Sequence, residues 1–235
     1  MSEPIVTVRE VTRVFKMGDI EVQALRGIDL DIQPGEFTAV AGPSGSGKTT
    51  LFNLIGGLDE PTSGTISVGG RRLGGLSRKE LSRLRLEKIG FVFQAYNLIP
   101  VLTAGENVEY PLILRGEPGP VRRKKVQELL DAVGLSEMTH RRPMQMSGGQ
   151  QQRVAIARAL VCEPVIVLAD EPTANLDSET GAALLKLMRR LNREKGLTFL
   201  FSTHDPMVMN AASRLVRLKD GRIDSDVRQD NGGPP

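Results

Sequence analysis

Cysteine is all but missing from this chain, with Cys162 alone among 235 residues. No internal disulfide can form, so the fold must rest on its own core, and a reducing compartment suits it. Tryptophan is absent and there are only two tyrosines. That leaves too few aromatic rings for a base-stacking platform, so no nucleic-acid partner is expected. No run approaches the roughly 18 consecutive apolar residues of a membrane-spanning helix. The start, Met1-Ser2-Glu3-Pro4, has neither the basic beginning nor the apolar stretch of a signal peptide. The expectation is a protein kept in the cytoplasm that cannot cross a bilayer alone. The rest of the composition is ordinary, with 40% hydrophobic and 25% charged residues and a net charge of +3. The length suits one α/β domain with room for an inserted lobe. The mild excess of positive charge is explained most plainly by a solvated surface, with a membrane-side or acidic-partner face as the alternative.

What the chain does have is Gly42-Pro43-Ser44-Gly45-Ser46-Gly47-Lys48-Thr49. Glu36–Ala41 before it is a short apolar run that reads as a buried strand, and Thr50–Ile55 after it reads as the first turns of a helix. Gly42, Gly45 and Gly47 allow positive φ, so successive N–H groups can converge on one anion. The helix N-terminus adds partial positive charge at the same spot. Lys48 can reach terminal phosphates, and the Thr49 hydroxyl can ligate Mg²⁺. A glycine-rich turn is the plainer alternative, but the strand–loop–helix context favours a triphosphate-binding loop.

Short strands are expected at Ile5–Val8, Gly27–Ile32 and Thr65–Val68, the last ending in a hairpin turn at Gly69-Gly70. Ser77–Leu86 reads as a short amphipathic helix and Ile89–Phe93 as a buried strand. From Ala95 to Met146 the spacing turns helical, with Pro/Gly breaks at Gly116–Pro120, which suggests a helical lobe set into the α/β core. Gln151–Leu160 is a helix, Val165–Ala169 a buried strand, Ser178–Lys195 a long helix closed by Gly196, and Thr198–Phe201 a further strand. The tail from Gln229 to Pro235 is polar, rich in Gly and Pro, and predicted to be disordered.

The buried strand Val165–Leu168 runs into Asp170-Glu171 at the carboxyl edge of a sheet, where α/β ligands bind. Asp170 then suits Mg²⁺, and Glu171 can polarise an attacking water. Taken alone, the acidic pair reads as a helix cap or surface charge. Ser147-Gly148-Gly149-Gln150 opens a helix, with Ser147 an ordinary N-cap; two glycines and a serine there also make an exposed anion site. His204 follows a strand, and a capping histidine is the commoner reading of such a position.

Together these residues resemble the ATP-binding cassette (ABC) family of ATPases over about residues 4 to 226. Gly42–Thr49 matches the Walker A motif, Val165–Asp170 Walker B and Glu171 the catalytic glutamate. Gln94 matches the Q-loop glutamine, Met146–Gln150 the signature, Asn175-Leu176-Asp177 the D-loop and His204 the switch histidine. The resemblance implies ATP and Mg²⁺ as cofactors, with nucleotide contacts from Gly42 to Thr50. It also implies metal contacts from Thr49, Gln94 and Asp170, and a hydrolytic set of Gln94, Glu171 and His204. Met146 replaces the usual leucine, Phe15 stands where an aromatic ring stacks on adenine, and Asn175 replaces a commoner alanine.

The segments Gly56–Asp59, Pro61–Gly64, Asn97-Leu98 and Glu106-Asn107-Val108 resemble the bacterial branch with lipoprotein-release, macrolide-efflux and cell-division ATPases. The implied fold is a P-loop α/β core with an antiparallel β subdomain and an inserted helical subdomain at about 95–162, one nucleotide-binding domain over 1–228. The implied mechanism is a head-to-tail pair, each ATP lying between Gly42–Thr49 of one chain and Ser147–Gln150 of the other. The pair would drive an integral membrane permease subunit from the cytoplasmic face. A non-transport ABC ATPase doing mechanical work on a membrane or cell-division partner is the alternative. A small-molecule P-loop kinase would leave Ser147–Gln150 without a role.

Overall fold

The computed structural model describes residues 3–18 and 20–229. The chain opens with β1 (Val6–Met17), β2 (Ile20–Ile32) and β3 (Phe37–Ala41), followed by α1 (Lys48–Ile55). Next come β4 (Ser63–Val68), β5 (Arg71–Arg72), α2 (Arg78–Lys88) and β6 (Ile89–Val92). A helical stretch follows: α3 (Ala104–Leu114), α4 (Gly119–Ala132) and α5 (Gly148–Leu160). The chain then returns to the core through β7 (Ile166–Asp170), α6 (Ser178–Lys195), β8 (Phe199–Thr203) and α7 (Pro206–Ala211). It ends on β9 (Arg214–Lys219) and β10 (Arg222–Arg228).

Two sheets divide the strands. The first is antiparallel, in the order β2-β1-β4-β5. The second has the order β10-β9-β3-β8-β7-β6, parallel except for β10. The period-two alternation of a strand explains how the second sheet feeds two cores at once. Phe37, Ala39, Val167, Ala169, Phe199 and Phe201 face the core shared with α5 and α6. Val40, Ile166, Leu168 and Leu200 face the opposite core, with α1 and the antiparallel sheet.

The helices start and stop where local chemistry directs. Asp177 caps α6 by accepting from the Thr180 N–H, and Gly196 ends it in the left-handed region at φ 64°. Between them Leu184, Leu185, Met188 and Leu191 form the buried stripe of α6. Thr103 and Glu106 make a reciprocal capping box on α3. The fully buried Asn107 then fastens the preceding loop, bonding Ile99 N at 2.8 Å and the Ile99, Leu102 and Thr103 carbonyls.

The expected elements are present, several of them longer than the sequence suggested. The strand expected at Ile5–Val8 continues to Met17, and the one expected at Gly27–Ile32 begins at Ile20, because the two pair as one long hairpin. The β9–β10 hairpin is an addition to that reading. Its outer strand is mostly exposed, and Arg214 binds Asp226 through two bonds of 2.8 and 2.7 Å and Glu36 at 2.9 Å. Of the expected disordered tail, residues 230–235 lie outside the described residues, and Gln229 donates to Met209 O.

Candidate functional site

Parallel pairing decides what meets at the carboxyl edge of the second sheet. Ala41 on β3 is level with Thr203 on β8, Asp170 on β7 with Ser202, and Val92 on β6 with Ala169. The residues that follow each strand are therefore delivered to one place. There, a cleft of about 540 Å³ is lined by Ala24, Pro43, Ser44, Gly45, Gly47, Lys48, Thr49, Thr50, Gln94, Asp170, Glu171, Ser202 and His204.

The glycine-rich loop is shaped by close approaches. Gly47 has φ 104°, and a Cβ there would meet Ala24 O at 2.7 Å. A Cβ on Gly42 would meet Leu218 O at 2.2 Å, so the loop can lie against β9 only without a side chain. Gly47 caps α1 with no side-chain hydrogen bond, and no acidic residue sits in the first turn. The positive end of the helix dipole is thus left for an outside anion. Lys48 is buried, with Nζ donating to Gly42 O at 2.7 Å and Pro43 O at 2.9 Å. These two bonds aim the ammonium back over the loop and leave a third donor for the cleft.

The acidic side is built at the end of β7. Burial pushes the Asp170 carboxyl above the ordinary carboxylate value, Glu171 adds to this, and the Lys48 charge opposes it. Glu171 has φ 46°, a left-handed conformation unusual outside glycine, and its N–H bonds Ser202 O at 2.9 Å. Thr203 Oγ1 donates to Glu171 Oε2 at 3.3 Å, and His204 Nδ1 lies 2.6 Å from Glu171 Oε1. Glu171 is thereby held from two sides, over the same cleft as Lys48. The hydroxyl of Thr49, the amide of Gln94 and the carboxylate of Asp170 all border this cleft, and oxygen donors of this kind are those Mg²⁺ prefers. The donor set fits the ion. Among the described residues no cluster of three His, Cys, Asp or Glu side chains offers another metal site.

Most of the residues expected at the site are brought together. Gly42 and the buried Ser46 do not line the cleft. Phe15 stands outside the cleft, exposed on β1 opposite Val22, two residues from the cleft-lining Ala24. Ser147–Gln150 do not border the cleft of their own chain. Ser147 accepts from Gln150 N at 3.3 Å while Gln150 Oε1 accepts from Ser147 N at 2.9 Å, so that helix end closes on itself.

Three supporting side chains were not singled out for these contacts. Asn175 Nδ2 donates to Gln94 O at 2.8 Å, joining the segment after Glu171 to the glutamine. Fully buried Gln152 on α5 donates to Pro172 O at 2.8 Å and Phe93 O at 3.4 Å. Thr203, beside His204, completes the hold on Glu171. Asn175 was already marked in the sequence as part of the D-loop match, and Thr203 adjoins His204. Gln152 carried no such signal, because its partners are backbone carbonyls far away along the chain.

A family model described as "ABC transporter" matches residues 25–174. An uncharacterised ABC transporter ATP-binding protein of Thermotoga maritima is 47% identical over 94% of this chain and 94% of its own length. A macrolide export ATP-binding/permease protein, MacB, of Azoarcus sp. is 49% identical over 95% of this chain, which spans 34% of that longer protein. Among solved structures, the cassette MJ0796, described as dimeric, in a post-hydrolysis state and bound to ADP and Pi, superposes with a TM-score of 0.87. It is 46% identical and covers 95% of this chain and 98% of its own. The chain therefore belongs to the ABC transporter family of ATP-binding cassettes.

Proposed function

We propose that this chain is the ATP-binding and ATP-hydrolysing subunit of a transporter, closing as a pair on ATP to drive a transmembrane subunit. The observation that carries the reading is the meeting of Lys48, Thr49, Gln94, Asp170, Glu171 and His204 at one sheet edge. The loop amides and Lys48 bind the β- and γ-phosphates. When bound by Thr49, Gln94 and Asp170, Mg²⁺ neutralises phosphate charge. Glu171 accepts the proton of the attacking water, with Thr203 and His204 fixing its direction. Phe15 offers its ring to the base.

Ser147–Gln150 lie away from the cleft of their own chain, which suits contact with the ATP of a second copy. The reported dimer of the related cassette, bound to ADP and Pi, agrees with this arrangement. Residues 1–228 form the nucleotide-binding unit, with a helical lobe at about 95–162. The exposed Val101, Tyr110, Ile113 and Leu114 on and before α3 give that lobe an apolar surface on which a permease can dock. Among the described residues no helix is long and apolar enough to cross a membrane. A peripheral place on the cytoplasmic face, beside a permease of the lipoprotein-release or macrolide-efflux type, fits both observations.

Glu171→Gln tests the reading. Hydrolysis should fall by roughly 10²–10⁴, the usual contribution of a general base. ATP and Mg²⁺ should convert the variant into a stable dimer on sizing chromatography. A variant that keeps hydrolysing, or stays monomeric with ATP, would overturn it.

A further inference from the structure

The contacts behind Phe15 extend the site beyond the phosphates. The Arg13 guanidinium lies over the Phe15 ring, 4.5 Å from its centroid. Arg13 is itself fixed, since Nη2 donates to Asp59 Oδ1 at 2.8 Å. Asp59 is held in turn, its Oδ1 accepting from Glu60 N at 2.8 Å and its own N–H reaching Asn53 O at 3.3 Å. Asn53 belongs to α1, the helix that starts at the phosphate loop. The same turn grips β1 on both sides of Arg13: Thr62 N donates to Thr12 O at 2.9 Å, and Val14 N donates to Thr62 Oγ1 at 3.0 Å. The pairing of β1 with β2 shifts register between Arg13 and Val14, so the strand alone would not hold the ring.

We infer that Arg13 is a positioning residue for the base of the nucleotide. It covers one face of Phe15 and is keyed to α1 through Asp59, which leaves the opposite face as the stacking surface. The inference rests on the reading that Phe15 receives the base. A guanidinium seated on one face of a ring holds the ring in place without blocking the other face. Because Asp59 hangs from α1, the surface for the base and the seat for the phosphates belong to one rigid unit. A purine nucleotide then meets both ends already spaced.

The test compares ATP with inorganic tripolyphosphate, which has the phosphates and no base, by calorimetric titration with Mg²⁺. Arg13→Ala should weaken ATP about threefold to tenfold, as loss of a partly exposed cation–π contact and of ring order predicts, and leave tripolyphosphate unchanged. Arg13→Lys should recover part of the loss. Asp59→Asn, which keeps the shape but not the charge, should weaken ATP about twofold to threefold. Equal losses for both ligands would make Arg13 a support of the fold and overturn the inference. So would unchanged ATP affinity in Arg13→Ala when Phe15→Ala weakens ATP. If Phe15→Ala itself leaves ATP affinity unmoved, the base-stacking reading falls first and takes the inference with it. Should Arg13→Ala fail to fold, Arg13→Lys and Asp59→Asn decide by the same two-ligand comparison.

Discussion

The starts of α1 and α5 are both rich in serine and glycine, and both read in the sequence as seats for an anion. In the fold they differ. At α1 the cap is Gly47, no side chain closes the helix end, and Ser44, Gly45 and Gly47 line a cleft together with Lys48. At α5, Ser147 and Gln150 satisfy each other, and Ser147 is exposed with no acidic partner in its first turn. The glycines also serve different ends. Gly47 supplies a positive φ and a close approach to β2. Gly149 supplies room, since a Cβ there would come within 2.4 Å of Thr180 Cγ2 on α6. The difference teaches that a glycine-rich helix start becomes a complete anion site only when the fold gathers further charge around it. For α5, the proposed pairing with a second copy would supply that charge.

Substitutions at the two helix starts should separate them. The largest effect belongs to α1. Lys48→Ala removes an ammonium that no neighbour replaces, and titration of a fluorescent ATP analogue should show affinity falling by about a hundredfold. Unchanged affinity in a folded variant would end the distinction. At α5, Ser147→Arg should leave ATP binding to the single chain within about twofold, because Ser147 lies outside the cleft. The same change in a Glu171→Gln background should abolish the ATP-dependent dimer, since the side chain fills the space a phosphate needs. Light scattering reads the outcome, and a persisting dimer would remove α5 from the nucleotide interface.

Smaller effects test the packing role of the α5 glycine. Gly149→Ala should cost about 1–3 kcal/mol of stability by overpacking, read as a lowered Tm. Thr180→Ser deletes the methyl in the way and should recover most of that loss. Smallest is Ser147→Ala, which removes the cap and should cost about 1 kcal/mol, with ATP binding to the single chain unaltered. A loss of affinity there would mean that Ser147 touches nucleotide within its own chain.

The chemistry-bearing residues were legible because each is tied to a local pattern. Gly42–Thr49 follows a buried strand and opens a helix, Asp170-Glu171 ends another, and His204 follows a third. The helix limits Ser178 and Lys195 were equally legible, since Asp177 and Gly196 mark them by capping chemistry that spans only a few residues. Less legible were features whose cause is distant. Residues 12–17 and 20–26 join long strands because they pair with each other, and β10 is held by its antiparallel ladder with β9 and by Arg214 reaching across to Asp226. Gln152 looked like any polar residue of a helix. Its burial against Phe93 O and Pro172 O follows only from where α5 lands.

The sequence by itself determined the cast: which loop can hold phosphates, which carboxylates end a strand, and which helices form between which caps. These depend on backbone conformation and hydrogen bonds over a few residues, so adjacency along the chain is enough to write them. The tertiary structure alone decided the company each residue keeps. Parallel register brought Gln94, Glu171 and His204 to the edge where Lys48 sits, and a turn hung from α1 brought Asp59 to Arg13. Such contacts join residues dozens of positions apart, and only the closure of two sheets around shared cores brings them within hydrogen-bonding distance.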